Sequence, residues 1–137
     1  MSKKKTLIGG LCSIAAVATL LVGCSSPEEN VTEACDASKA YATSLETFQS
    51  TLNKESTIGE IRSAYDDVQS AYKTYAEATA DVSKDRLEDL NSKQDSFDKA
   101  VKDLPEDATV SQSVDSLKDD AKAVESARAD LASELKC

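Results

Sequence analysis

From about residue 31 onward, apolar positions recur every third or fourth residue, the spacing that puts side chains on one face of an α-helix. Val31, Cys35, Ser38, Ala42, Leu45, Phe48 and Leu52 form the first ladder. Ile58, Ile61, Tyr65, Val68, Tyr72, Tyr75, Thr79 and Val82 form the second, and Leu87, Leu90, Gln94, Phe97, Val101 and Leu104 the third. The fourth runs through Val110, Val114, Leu117, Ala121, Val124, Arg128, Leu131 and Leu135. Arg128 is its awkward member, and Ala127 beside it offers another buried position.

Local start and stop signals agree with these ladders. Ser26-Pro27-Glu28-Glu29 offers a capping serine, a proline at the first helical position and a glutamate able to bond back to the cap. Thr57-Ile58-Gly59-Glu60 and Thr109-Val110-Ser111-Gln112 have the same box spacing. Asn53 suits the end of the first helix and Pro105 the end of the third. Between Val82 and Leu87 the apolar face jumps five residues, too far for one helix face, and Ser83 reads as a weak new cap. The pattern therefore predicts a turn at 81–86 and four helices, at 27–53, 58–81, 84–104 and 110–136. Short connections make the fold an all-α, up-down-up-down four-helix bundle. The alternative is one long helix over 58–104 with the two outer helices folded against its halves.

Composition narrows this further. Beyond residue 23 there are only one glycine, Gly59, and two prolines, Pro27 and Pro105, so turn marks are too scarce for a strand-rich fold. The segment before residue 24 differs in kind. Lys3, Lys4 and Lys5 precede an apolar run from Thr6 to Val22, and no acidic residue occurs before Glu28. A basic start followed by a short apolar stretch is the layout of an export signal. The run of about 17 residues is near the lower limit for a membrane-spanning helix, so length alone does not decide its fate.

Leu21-Val22-Gly23-Cys24 decides it, because it resembles the bacterial lipobox. The resemblance implies cleavage between Gly23 and Cys24, a diacylglyceryl thioether on the Cys24 thiol and an N-acyl chain such as palmitate on its new amino group. Two or three acyl chains hold a protein firmly where one holds it marginally. Cys12, preceded by Leu11 where a small residue is wanted, makes a poor second lipobox and would leave with the signal. The chain divides accordingly into a removed signal (1–23), the lipidated Cys24 with a short linker or first helical turn (24–30), and a helical bundle domain (31–137). The layout loosely resembles the small cell-envelope lipoproteins of Gram-positive bacteria, and it implies an extracytoplasmic, membrane-anchored protein without implying an activity. An outer-membrane location stays open.

Loss of the three signal lysines leaves 13 basic against 25 acidic residues, a formal net charge of −12. Such a surface excludes nucleic acid as a partner, since that binding rests on phosphate neutralisation by Lys and Arg. It equally argues against a basic membrane-surface helix, so membrane attachment falls to the lipid. With Cys24 occupied, Cys35 and Cys137 remain, an even pair in an oxidising compartment and therefore an expected disulfide. An even helix count brings the start of the first helix and the end of the last to the same pole.

Catalysis is poorly supplied. There is no histidine, no Gly-x-Ser-x-Gly and no phosphate-cradling glycine loop. Ser70, Ser96 and Ser133 each precede a lysine by three residues, a spacing expected by chance in this composition. The acidic pairs Asp66-Asp67, Glu88-Asp89 and Asp119-Asp120 lack the loop of a calcium site and belong to solvated helix faces, so no metal and no cofactor beyond the covalent lipid is expected. Tyr41, Tyr65, Tyr72 and Tyr75 carry two readings. They either line a pocket for a glycan or small apolar ligand, or pack as core with their hydroxyls reaching water, and core spacing favours the second. The expected function is a non-enzymatic helical interaction module for an unidentified envelope partner. The alternative is a ligand-binding bundle with a tyrosine-lined pocket, and self-association through the regular seams is a third possibility.

Overall fold

A computed structural model describes residues 27–53, 55–81, 83–106, 111 and 113–137, and they form four α-helices with no strand among the described residues. These are α1 (Pro27–Thr51), α2 (Ile58–Thr79), α3 (Lys84–Lys102) and α4 (Val114–Glu134). Each packs on its neighbours in chain order, and α4 returns to α1, closing an antiparallel bundle. The contact is most extensive within the hairpins α1–α2 and α3–α4, smaller between α1 and α4, and smallest between α2 and α3. The chain does turn between α2 and α3, so four helices form and the long central helix does not. The signal segment 1–23, Cys24, the Ser26 cap, Val82, and Thr109, Val110 and Gln112 of the third box lie outside the described residues.

The ladders map well onto the core. In α2 and α3, Ile61, Val68, Tyr75, Leu90 and Phe97 are all fully buried. Each buried Leu, Ile or Phe side chain contributes about 1.5–3 kcal/mol relative to exposure. In α4, Ala127 takes the buried place and Arg128 lies at the margin, where its guanidinium finds polar partners. The first half of α1 differs from expectation. Ala34, Ala37 and Tyr41 are buried, whereas Val31, Cys35 and Ala42 are only partly so. Tyr41 carries far more apolar area than Ala42, and it rotates the face by one residue.

Caps explain where helices begin. At α2 the box is complete: the Glu60 amide donates to Thr57 Oγ1 at 3.2 Å, and the Thr57 amide donates to the Glu60 carboxylate at 2.8 Å. Ser83 precedes α3 but makes no side-chain cap bond; its hydroxyl donates to Glu134 Oε1 at 2.7 Å instead. Ser83 thus holds the expected N-cap position, and its side chain bonds to a carboxylate of α4 instead of to a local amide. At this same C-terminal end of α4, Lys136 sits in the left-handed region at φ 62°. Its amide donates to Ser133 O at 3.1 Å and the Cys137 amide to Ala132 O at 3.0 Å, the paired bonds of a Schellman turn.

Candidate functional site

The four tyrosines are brought together, but with one another and with the core. Tyr41 lies 6.0 Å from both Tyr72 and Tyr75, measured between ring centroids. One helical turn or two further along, Phe48, Tyr65 and Phe97 meet edge to face, with Phe97 4.9 Å from Phe48 and 5.0 Å from Tyr65. Tilted and edge-on rings at these distances are the favoured aromatic geometries. Tyr41 and Tyr75 are fully buried, Tyr65 nearly so, and Tyr72 half-buried at the rim.

Packing as core had their hydroxyls reaching water; each bonds to the protein instead. Tyr41 donates to Gln94 Oε1 at 2.5 Å, and Gln94 Nε2 donates to the Tyr65 hydroxyl at 3.1 Å. Tyr65 in turn donates to Asp98 Oδ1 at 3.2 Å, which also accepts from Gln69 Nε2 at 2.8 Å. Lys102 Nζ closes the chain on Asp98 Oδ2 at 2.6 Å. The network thus runs from the centre of the bundle to its surface through α1, α2 and α3. Tyr72 donates to Asn91 Oδ1 at 2.6 Å, and Tyr75 to the Arg128 carbonyl at 3.5 Å. Arg128, with only 14% of its side chain exposed, forks onto Glu125 and donates to the buried Ser38 hydroxyl at 2.7 Å.

Gln94, 3% exposed, is the residue that links the two halves of this network. Its place on an otherwise apolar ladder was the available signal, since a buried amide needs partners. Arg128 carries the same mark on the fourth ladder, whereas Asp98 and Asn91 carry none, because the tyrosines they accept from lie on another helix. Burial raises the Tyr41 and Tyr65 phenols well above their ordinary value, with Tyr72 adding to the first and Asp98 to the second. Burial also raises Tyr72 and Tyr75. These phenols are thus held as neutral hydrogen-bond donors, a state suited to fixing helix register and unsuited to acting as nucleophile or base at neutral pH.

One recess of about 220 Å³ lies beside Tyr65, between Arg62, Gln69, Asp98 and Lys102. A larger open groove of about 870 Å³ lies along α1 at Glu28, Glu33, Asp36, Ala37 and Ala40. Among the described residues no group of three or more His, Cys, Asp or Glu side chains is placed to hold a metal ion. None of the described helices is long and apolar enough to cross a membrane.

Cys35 and Cys137 meet at disulfide distance, their Cα atoms 5.4 Å apart and 102 residues apart in sequence. Two local features make this possible. Cys35 sits on the margin of α1, turned toward α4 by the burial of Ala34 and Ser38. The Schellman turn at Lys136 folds Cys137 back from the end of α4. Comparison with protein-family models, with curated proteins and with solved structures finds no match for this chain.

Proposed function

We propose that this chain is an extracytoplasmic lipoprotein, tethered to a membrane through acyl chains on Cys24, whose helical bundle is a non-enzymatic interaction module of the cell envelope. The observation that carries this reading is the run from Lys3-Lys4-Lys5 through an apolar stretch to Leu21-Val22-Gly23-Cys24. The start of α1 at Pro27 supports it, because a bundle beginning three residues after the anchor sits directly against the bilayer. The internal commitment of all four tyrosine hydroxyls supports interaction through the outer surface over ligand capture in the core. The net charge of −12 after cleavage favours a cationic partner.

Growth with labelled palmitate tests the anchor. The chain takes up label and fractionates with membranes, and Cys24→Ser loses both; label retained by the Cys24→Ser chain would exclude the assignment. Crosslinking on intact cells tests the interaction and identifies whatever the bundle touches. A small glycan or apolar compound that raises the melting temperature in a saturable way would instead favour ligand capture.

A further inference from the structure

The connection between α2 and α3 is built differently from the other helix ends. Between α1 and α2 the chain is locked locally by the Thr57–Glu60 box and by Asn53, whose side chain accepts from the Glu55 amide at 2.9 Å. The end of α3 is followed by Pro105, which cannot continue a helix. Residues 80–84, Ala-Asp-Val-Ser-Lys, contain neither glycine nor proline. Ala80 is still in the right-handed helical region, at φ −55° and ψ −33°, and Ser83 departs from it at φ −151° and ψ 89°. Ser83 is held there by Glu134, which also takes Arg86 Nε at 3.2 Å, and not by a cap on its own helix. Contacts with α4 hold this turn; the apolar ladder breaks here, but no residue of 80–84 forbids a continued helix.

The seam that the turn creates is also the thinnest in the bundle, and much of it is polar. Tyr72–Asn91, Tyr65–Asp98, Gln69–Asp98 and the bond from Arg62 Nη2 to the Leu104 carbonyl at 3.1 Å cross it. The two well-packed units are the hairpins on either side. If α2 ran on into α3, each hairpin would keep its own contacts and lose only its mate. A second copy of the chain, related by a two-fold axis, supplies that mate with the contacts across the seam unchanged, those at residues 80–84 excepted.

We propose that the α3–α4 hairpin exchanges between two copies of this chain by straightening at residues 80–84, and that the Cys35–Cys137 bridge seals whichever form is present when it closes. In the folded-back chain the two sulfurs belong to one molecule. In the exchanged dimer Cys35 of one copy faces Cys137 of the other, and the same chemistry links them covalently. Each bridge forms as two thiols pass two electrons and two protons to an external disulfide, of the kind supplied by an oxidising thiol–disulfide partner. Confinement of the chain to a membrane plane raises the local concentration of copies and so favours exchange. The inference itself does not depend on the lipid.

The test co-expresses two full-length copies with different tags, extracts them in detergent and analyses them without reductant. Exchange predicts that one tag captures the other, and that peptide mass analysis finds Cys35 of one copy joined to Cys137 of the other. Lys84→Pro is the discriminating change. Proline suits the first residue of α3 but opposes a continuous helix, so it should cut the mixed dimer by roughly 100-fold while leaving the bridge within each chain. Ser83→Ala removes the Glu134 contact and favours helix, so it should raise the mixed dimer several-fold, which keeps the test decisive if the proline variant does not fold. Bridges found only within chains, a mixed dimer indifferent to Lys84→Pro, or no response to Ser83→Ala would each overturn the proposal.

Discussion

Lys136 carries a left-handed backbone without the glycine that such a position favours. A side chain there costs about 1 kcal/mol relative to glycine. Lys136→Gly should therefore raise the free energy of unfolding by about that amount, read as a higher urea midpoint at constant slope. Gln94 is the opposite case, a residue whose loss is felt by others. Gln94→Leu leaves the Tyr41 hydroxyl buried without its acceptor, and the expected cost is about 2 kcal/mol. Adding Tyr41→Phe removes the orphaned group, so the double variant should recover part of that loss in chemical denaturation; an additive pair would remove Gln94 from its central role. At this scale, the sequence revealed which positions are buried more readily than what they bond to. Gln94 stood out on its ladder, but the destination of each tyrosine hydroxyl depends on residues 19 to 53 positions away. The start of α1 at residue 27 was legible, but the buried face of its first half was not, because alanines and small polar residues populate two overlapping faces and only the bulk of Tyr41 separates them.

Among the described helix starts, that of α2 carries a complete capping box. Thr57→Ala removes one half of a reciprocal cap and should cost about 1 kcal/mol. The same box holds the Glu60 carboxyl below its ordinary value, chiefly through the bond from the Thr57 amide and then that from its hydroxyl. A lowered folded-state value means that the unfolded chain binds the proton first as pH falls. This contribution is present above the unfolded value of 4.5 and is lost as pH drops through the lowered one. Thr57→Ala should consequently show a shallower loss of stability in acid, measured as urea midpoint against pH. Capping boxes and ladders are legible because they are local, at spacings of three and four residues. The turn at Ser83 was legible as a break in the ladder but not in its cause, since Glu134 lies 51 residues further on.

For the whole molecule, the buried phenols set an alkaline limit. Their folded-state values lie above the ordinary 10.0, so between the two values the unfolded chain has released protons that the native chain retains. The contribution of the neutral phenols is fully present below about pH 10 and is lost as pH rises beyond it. Tyrosinate absorbance should appear together with the loss of helical circular dichroism; tyrosinate titrating at its ordinary value with the helices intact would contradict the buried network. The disulfide sets the scale of resistance to denaturant. Closing a loop of about 100 residues stabilises the fold by roughly 4–5 kcal/mol in the chain-entropy view, so Cys35→Ser with Cys137→Ser should lower the midpoint by a matching amount. The pairing itself was legible from an even cysteine count and an even helix count, whereas the turn at Lys136 that delivers Cys137 was not, because nothing in its sequence requires a left-handed residue.

The same bridge changes how the protein meets a protease. With Cys35 joined to Cys137, residues 35–137 form a covalent ring. One cut anywhere inside that ring leaves both fragments attached to each other and to residues 27–34, so a nicked molecule loses no mass from the proposed tether. Release takes a second cut, reduction of the bridge, or cleavage in the short stretch between the anchor and Cys35. After limited proteolysis, gels run without reductant should show one full-mass band where reduced gels show two.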